Sequence, residues 1–319
     1  MSPEKFFTKI FTGPRRGCRQ TRRRHTGDTM KIIDLINKNE QFISLEFFPP
    51  KDRESWPKFF EVVNKLKVLN PLFASVTYGA GGGTQDNSLE IVKRMKQDAA
   101  IEPLAHLTCV GASPENISKF VSALQEAGVE NILALRGDAP ADDKDFDFNT
   151  QTFKHGSDLV TYVKREHPGV GVAVAGYPEA HLESPSIKED FKWMKYKIAQ
   201  GGEFIITQLF FDNRVYFDFC DRLKGMGIDV PVVPGVLPIM SLKSAKFILS
   251  LCGAAIPGKF LSALEKAHKE GGDDAVYKLG IEFATRQAQE LLDGGAPGVH
   301  LYTLNRAKAC LEIGQALKF

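Results

Sequence analysis

A closed barrel of eight strand–helix units, an α/β fold of the (β/α)8 or TIM type, is what this sequence predicts, and three observations carry the prediction. Eight short β-rich runs recur between residues 42 and 302, and each is nearly continuously apolar. That is the pattern of parallel strands covered on both faces. Stretches of helical periodicity separate them, and such alternation builds a parallel sheet. The mark of the competing open, doubly wound sheet is missing. The segment GAGGGT at 79–84 follows a strand but puts Thr84 where the last glycine of the dinucleotide fingerprint belongs, and there is no Walker loop. A barrel of this kind needs about 250 residues, so 319 residues hold one barrel with a tail and not a large second domain.

The runs are FISLEF at 42–47, FASVTY at 73–78, LAHLTC at 104–109 and NILAL at 131–135. GVAVA at 171–175, FIITQ at 204–208, VVPGVL at 232–237 and GVHLY at 298–302 follow. Helix signals lie between them. Ser113 before Pro114 is an N-cap ahead of a proline at the first helical position. Ser157 and Asp158 open a helix that runs to His167. Over 187–201, Ile187, Phe191, Met194 and Ile198 step by four, three and four, which makes one buried stripe. Gly201 and Gly202 close that helix. The longest interval, 240–297, holds two or three extra helices with a break at Gly271, Gly272, Asp273 and Asp274. It elaborates the barrel between strands seven and eight.

The charge distribution is uneven. Residues 1–29 carry eight Lys or Arg against Glu4 and Asp28, so this segment is +6 while the other 290 residues sum to −4. It lacks a sustained apolar stretch and does not read as a secretory signal. Residues 1–30 are expected to be an unstructured basic extension, with residues 31–319 forming the barrel. A transit peptide, a basic membrane anchor or a nucleic-acid tail is the competing reading. The five cysteines, Cys18, Cys109, Cys220, Cys252 and Cys310, are scattered and never form a C-x-x-C pair. That argues against a disulfide framework and for a reducing cytoplasm. No apolar run is long enough to span a bilayer.

In a barrel the reactive side chains gather at the carboxyl ends of the strands. Those ends offer Glu46, Thr77, Tyr78, His106, Arg136, Asp138, Tyr177, Glu179, His181 and Gln208. Glu46 stands between Leu45 and the run Phe47, Phe48, Pro49, Pro50. A carboxyl among apolar groups is raised in pKa and can hold a proton near neutrality. The alternative is a carboxylate paired with Arg136 or a lysine. Arg136, Gly137 and Asp138 offer opposite charges around a glycine that allows close approach, or else a solvated turn. Asp190, Trp193 and Lys197 share one helical flank, which lines a groove or merely faces water. His106, His155 and His181 lack zinc spacing, and no metal is expected.

Several of these segments match one family together: LEFFPP at 45–50, SVTYGA at 75–80, HLTC at 106–109 and ALRGD at 134–138. YPEAH at 177–181, ITQLFFD at 206–212, PGVLPI at 234–239 and LYTLNRA at 301–307 complete the set. The chain resembles methylenetetrahydrofolate reductase in its short bacterial form, over about residues 31–319. The resemblance implies a barrel flavoenzyme of one-carbon metabolism and methionine biosynthesis. It would pass hydride from NADH or NADPH through FAD to 5,10-methylenetetrahydrofolate, in ping-pong fashion, to give 5-methyltetrahydrofolate.

It implies FAD contacts at Tyr78, Ala80, His106, Arg136, Gly137, Asp138, His155, Gly156, Tyr177, His181, Asp190 and Lys197. Thr77, Gln208 and Arg306 would contact nicotinamide or folate. Glu46 would be the general acid, and Asp138 would bond the pterin and place negative charge near the flavin. Ser244 and Ile248 stand where relatives carry a glutamine and a phenylalanine. The sequence ends at Phe319 without the long regulatory region of eukaryotic relatives, which implies no inhibition by S-adenosylmethionine. A homo-oligomer acting on small molecules, without nucleic acid or membrane, is expected. The alternatives are the same reductase fed electrons by an iron–sulfur partner subunit, and a flavin-free pterin-binding methyltransferase barrel.

Overall fold

The computed structural model describes residues 31–78, 85–140, 143 and 145–319. The basic segment 1–30 and Ala80 lie outside the described residues. The strands are β1 (Ile43–Phe47), β2 (Ala74–Val76), β3 (Pro103–Thr108), β4 (Asn131–Leu135) and β5 (Gly171–Gly176). β6 (Phe204–Thr207), β7 (Val232–Val233), β8 (Gly235–Val236) and β9 (Val299–Tyr302) complete the sheet. All pair in parallel, in the order β7-β6-β5-β4-β3-β2-β1-β9-β8. Every predicted run therefore holds a strand, and the seventh is split in two.

Pro234 explains the split. It has no N–H to give to a ladder, and here the chain changes partners: β7 pairs with β6, and β8 pairs with β9. The Pro234 carbonyl accepts from His300 N at 2.9 Å, and Gly235 N donates to Thr207 Oγ1 at 2.9 Å. A Cβ on Gly235 would lie 2.5 Å from the Thr207 carbonyl, so the crossing needs glycine. The barrel closes through this interrupted strand.

Alternation along the strands sorts the core into two layers. Ile43, Leu45, Ala74, Val76, Ala105, Leu107, Ile132 and Val299 join the cluster under the outer helices. Phe42, Phe73, Leu104, Leu133, Phe204 and Val233 fill the interior near the amino ends of the strands. Helix α1 (Ile32–Ile36), which has no clear counterpart in the sequence pattern, buries Ile32 and Ile36 in that interior cluster. It closes the amino end of the barrel, and the side chain of Asn131 accepts from Ile32 N at 2.8 Å.

The outer helices are α2 (Trp56–Leu66), α3 (Gln85–Gln97), α4 (Pro114–Glu126), α5 (Gly156–Glu166), α6 (Ile187–Ala199) and α7 (Asn213–Gly225). Then come α8 (Leu242–Cys252), α9 (Gly258–Asp293) and, after the last strand, α10 (Ala307–Ala316). Ser113 caps α4 as predicted, accepting from Asn116 N at 3.2 Å. Two expectations shift. α5 begins at Gly156, so Ser157 is its second residue and not its cap, and Asp158 instead accepts from the N–H groups of Lys154 and His155. Ile187 is 38% exposed, which shortens the buried stripe of α6 to Phe191, Met194 and partly buried Ile198. α9 carries non-helical angles at Gly271 and Gly272, the predicted break. Among the described residues no helix is long and apolar enough to cross a membrane.

Candidate active site

Interior positions near the carboxyl ends of the strands are polar. In β1 the outward Leu45 and Phe47 alternate with inward Ser44 and Glu46. Glu46 is 7% exposed, and its Oε2 accepts from Ser75 Oγ at 3.2 Å. The same oxygen lies 3.4 Å from His106 Nε2 and 3.5 Å from His300 Nε2. His300 is wholly buried; its Nδ1 lies 2.8 Å from Ser44 Oγ, and its Nε2 lies 3.3 Å from Ser75 Oγ. Its ring stacks on Phe73. The loop after β9 returns to the same place, where Thr303 Oγ1 donates to the Glu46 carbonyl at 2.6 Å.

This corrects the expectation for Glu46. Its chain neighbours are apolar but point to the other face of the strand, and the groups that touch its carboxyl are a serine and two imidazoles. Among the described residues it is paired with neither Arg136 nor a lysine. Burial pushes the carboxyl up, but the bond to His300 and the neighbouring charge on His106 and His300 outweigh it, and the net direction is down. Burial pushes His106 down, and the charge on Glu46 only partly offsets this. Imidazoles lower the carboxyl only while one of them is protonated. Two further groups able to hold or pass a proton, His106 and His300, thus stand within 3.5 Å of Glu46 Oε2.

Beside this cluster opens a cleft of about 280 Å³, lined by Ala134, Arg136, His155, Gly156, Ser157, Tyr177, His181, Glu183, Asp190, Trp193 and Lys197, among others. It brings together seven of the predicted site residues, which come from β4, the N-terminus of α5, the loop after β5 and α6. The flank formed by Asp190, Trp193 and Lys197 does line a groove. The ring of Trp193 meets that of His155 at 5.0 Å, and Tyr177 meets His181 edge-on at 4.7 Å. Lys197 Nζ donates to the Ala175 carbonyl at 2.7 Å; burial pushes its pKa down to about 8 against the pull of Asp190. Burial pushes Asp190 up, offset in part by Lys197 and His181. Arg136 forms a two-point pair with Glu183, Nη2 to Oε1 at 2.9 Å and Nη1 to Oε2, and its guanidinium lies 4.2 Å over the ring of Phe148.

Other predicted residues sit outside this cleft. Gly137 holds φ +87°, and a Cβ there would lie 2.7 Å from Val110 Cγ1, so the turn that presents exposed Asp138 depends on glycine. The ring of Tyr78 packs edge-on against Phe120 of α4. Thr77 continues β2, its N–H bonded to the Phe47 carbonyl. Gln208 Oε1 accepts from Leu209 N at 2.9 Å. Arg306 is exposed at the start of α10. The sequence reasoning missed Ser44, Ser75, His300 and Tyr302. The signal was present, because His300 and Tyr302 occupy alternate positions of GVHLY, the same alternation as Ser44 and Glu46. Tyr302 links the two regions. Burial raises its phenol, and the charges of Glu46 and Tyr177 add to the shift.

A buried carboxyl–imidazole cluster and a polar, aromatic-lined cleft at the carboxyl ends of the strands place this chain among α/β barrels with a candidate site at that mouth. Comparison with known proteins narrows this. Residues 31–318 match the family profile of methylenetetrahydrofolate reductase, and the chain belongs to that family. It is 35% identical over 298 residues to methylenetetrahydrofolate reductase (NADH) 1 of Arabidopsis thaliana, covering 89% of this chain and 50% of the plant protein. It is 34% identical over 277 residues to 5,10-methylenetetrahydrofolate reductase of Escherichia coli, covering 86% of this chain and 90% of that one. The chain thus spans about half the length of the plant relative and most of the bacterial one. A solved structure described as an uncharacterized protein from Clostridium thermocellum that binds two copies of 5-methyl-5,6,7,8-tetrahydrofolic acid shares the fold. Its TM-score is 0.60 at 16% identity, over 89% of this chain and 96% of that one.

Proposed function

We propose that this chain reduces 5,10-methylenetetrahydrofolate to 5-methyltetrahydrofolate, using FAD held in the cleft and reducing power from NADH or NADPH. The observation that carries the proposal is the Glu46–His106–His300 cluster, which opens on the same mouth as the cleft. Ring opening of the folate needs a proton at the departing N10 amine. Hydride transfer between stacked rings needs only orientation.

The cleft residues suit FAD. Ser157 Oγ is buried and has no hydrogen-bond partner among the described residues. It stands in the first turn of α5, where N–H groups favour an anion. Arg136 and Lys197 supply cations for a diphosphate, and the packed rings of His155 and Trp193, with Tyr177 nearby, line the cleft with aromatic surface for a planar ring. FAD bound there would supply a two-electron hydride carrier.

The chain's own residues supply the rest. Glu46 gives the proton to N10, and His106 and His300, 3.4 and 3.5 Å from its Oε2, are placed to resupply it. Asp138 bonds the pterin and places negative charge beside the cation that develops as the ring opens. Thr77 and Gln208 contact the nicotinamide or the folate, and Arg306 takes the folate's carboxylate. Hydride donor and folate use the site in turn, as in a ping-pong cycle.

Anaerobic titration of the purified protein tests this proposal. Stoichiometric FAD, bleached by NADH or NADPH alone, is the expected result. Protein that binds no flavin would favour a methyltransferase barrel. Protein that binds flavin without being bleached by either nucleotide would favour an iron–sulfur partner as donor.

A further inference from the structure

The cleft contains its own competitor for an anionic ligand. Arg136 and Lys197 are its fixed cations, and three carboxylates stand near them. Asp190 faces Lys197, Glu183 grips Arg136 at two points, and the charge of Asp138 is felt by Arg136. The histidines that face the same space are His155 and His181. With both cations matched by carboxylates, the pull of the cleft on a diphosphate is weakened until one of those carboxylates moves away.

One carboxylate can leave. Asp190 is half-buried on helix α6, and Asp138 follows the constrained Gly137. Glu183 is 60% exposed in the loop between β5 and α6, and its N–H donates to His181 Nδ1 at 3.1 Å. Its carboxylate takes the paired N–H groups of Arg136 that a phosphate oxygen pair would use. Phe148 beneath the guanidinium and the bond from Arg136 Nε to the Gly137 carbonyl, at 3.2 Å, keep the arginine in place if Glu183 lets go.

We propose that Glu183 is an internal phosphate mimic: it holds Arg136 until a ligand bearing a diphosphate displaces it, and so sets how tightly such ligands are kept. The proposal rests on the reading that the cleft takes a dinucleotide, but it extends to any diphosphate that meets Arg136.

Glu183→Gln tests it, with FAD, ADP and riboflavin as probes in equilibrium binding to the full chain stripped of bound flavin. The variant keeps the side-chain shape and removes the charge. Tightening of FAD and ADP on the order of fivefold is expected, with riboflavin, which has no phosphate, unchanged. A merely structural role would weaken all three. If the wild type binds FAD but the variant binds FAD and ADP no more tightly, the displacement idea is wrong and the flavin assignment stands. If the wild type binds no FAD yet the variant binds ADP more tightly, the flavin assignment is wrong and the displacement stands. Absence of both effects overturns both.

Discussion

Replacing Glu46 with glutamine isolates the proton from everything else the site does. The amide keeps the volume and can accept from Ser75, whose bond to Oε2 is 3.2 Å in the native site. It cannot release a proton. Positioned acids contribute about 10²–10⁴-fold, so the folate half-reaction should slow by that factor. Flavin reduction by the nucleotide, which draws no proton from this cluster, should stay within about twofold of normal. His106 sets the floor of the effect. Its Nε2 lies 3.4 Å from the same oxygen, so any proton it delivers in place of Glu46 moves the loss toward the lower end of that range. Anaerobic stopped-flow at the flavin absorbance reads the two half-reactions separately. The net shift on Glu46 is downward, so its carboxyl takes up a proton only below the usual carboxylate range. The native folate half-reaction should therefore slow as pH rises out of that range, and the variant should lose that dependence. Reoxidation of the variant's reduced flavin within a few-fold of wild type would remove Glu46 as the acid.

Three further outcomes are expected. Asp138→Asn keeps the shape of an exposed side chain, so flavin should stay bound while the folate half-reaction slows; an unchanged rate would exclude Asp138 from the chemistry. Gly137→Ala forces a Cβ onto φ +87° and to 2.7 Å from Val110, so chemical denaturation should show a loss of about 1–3 kcal/mol, with weaker flavin binding. Lys197→Met removes a buried cation whose folded pKa, about 8, is below its unfolded value. The native lysine is charged and penalised below that pH and gives up its proton above it. The variant should therefore have the higher Tm in flavin-free protein near neutral pH, an advantage that shrinks as pH rises through about 8, while its FAD affinity falls.

The barrel was legible because eight strands buried on both faces leave eight apolar runs, and even the split at Pro234 falls inside a run that the pattern marked. Helix α1 was not legible. It has five residues, and its burial of Ile32 and Ile36 depends on a barrel end assembled from distant strands. At the site, motif residues from four elements did converge on one cleft. The error over Glu46 came from reading chain neighbours as spatial neighbours; in a strand those neighbours face the other way. His300 lies 254 positions from Glu46 in the chain and reaches it only because β9 pairs with β1. The Arg136–Glu183 pair was invisible for a similar reason, since it joins two loops through a contact that no local pattern encodes.

Whether this mouth carries hydride and proton to a folate is decided by a single turnover. Protein loaded with FAD and reduced under anaerobic conditions, then mixed with one equivalent of 5,10-methylenetetrahydrofolate, should return to oxidised flavin. One equivalent of 5-methyltetrahydrofolate should form, with no partner protein present. Flavin that stays reduced, or that is reoxidised without that product, would contradict the account.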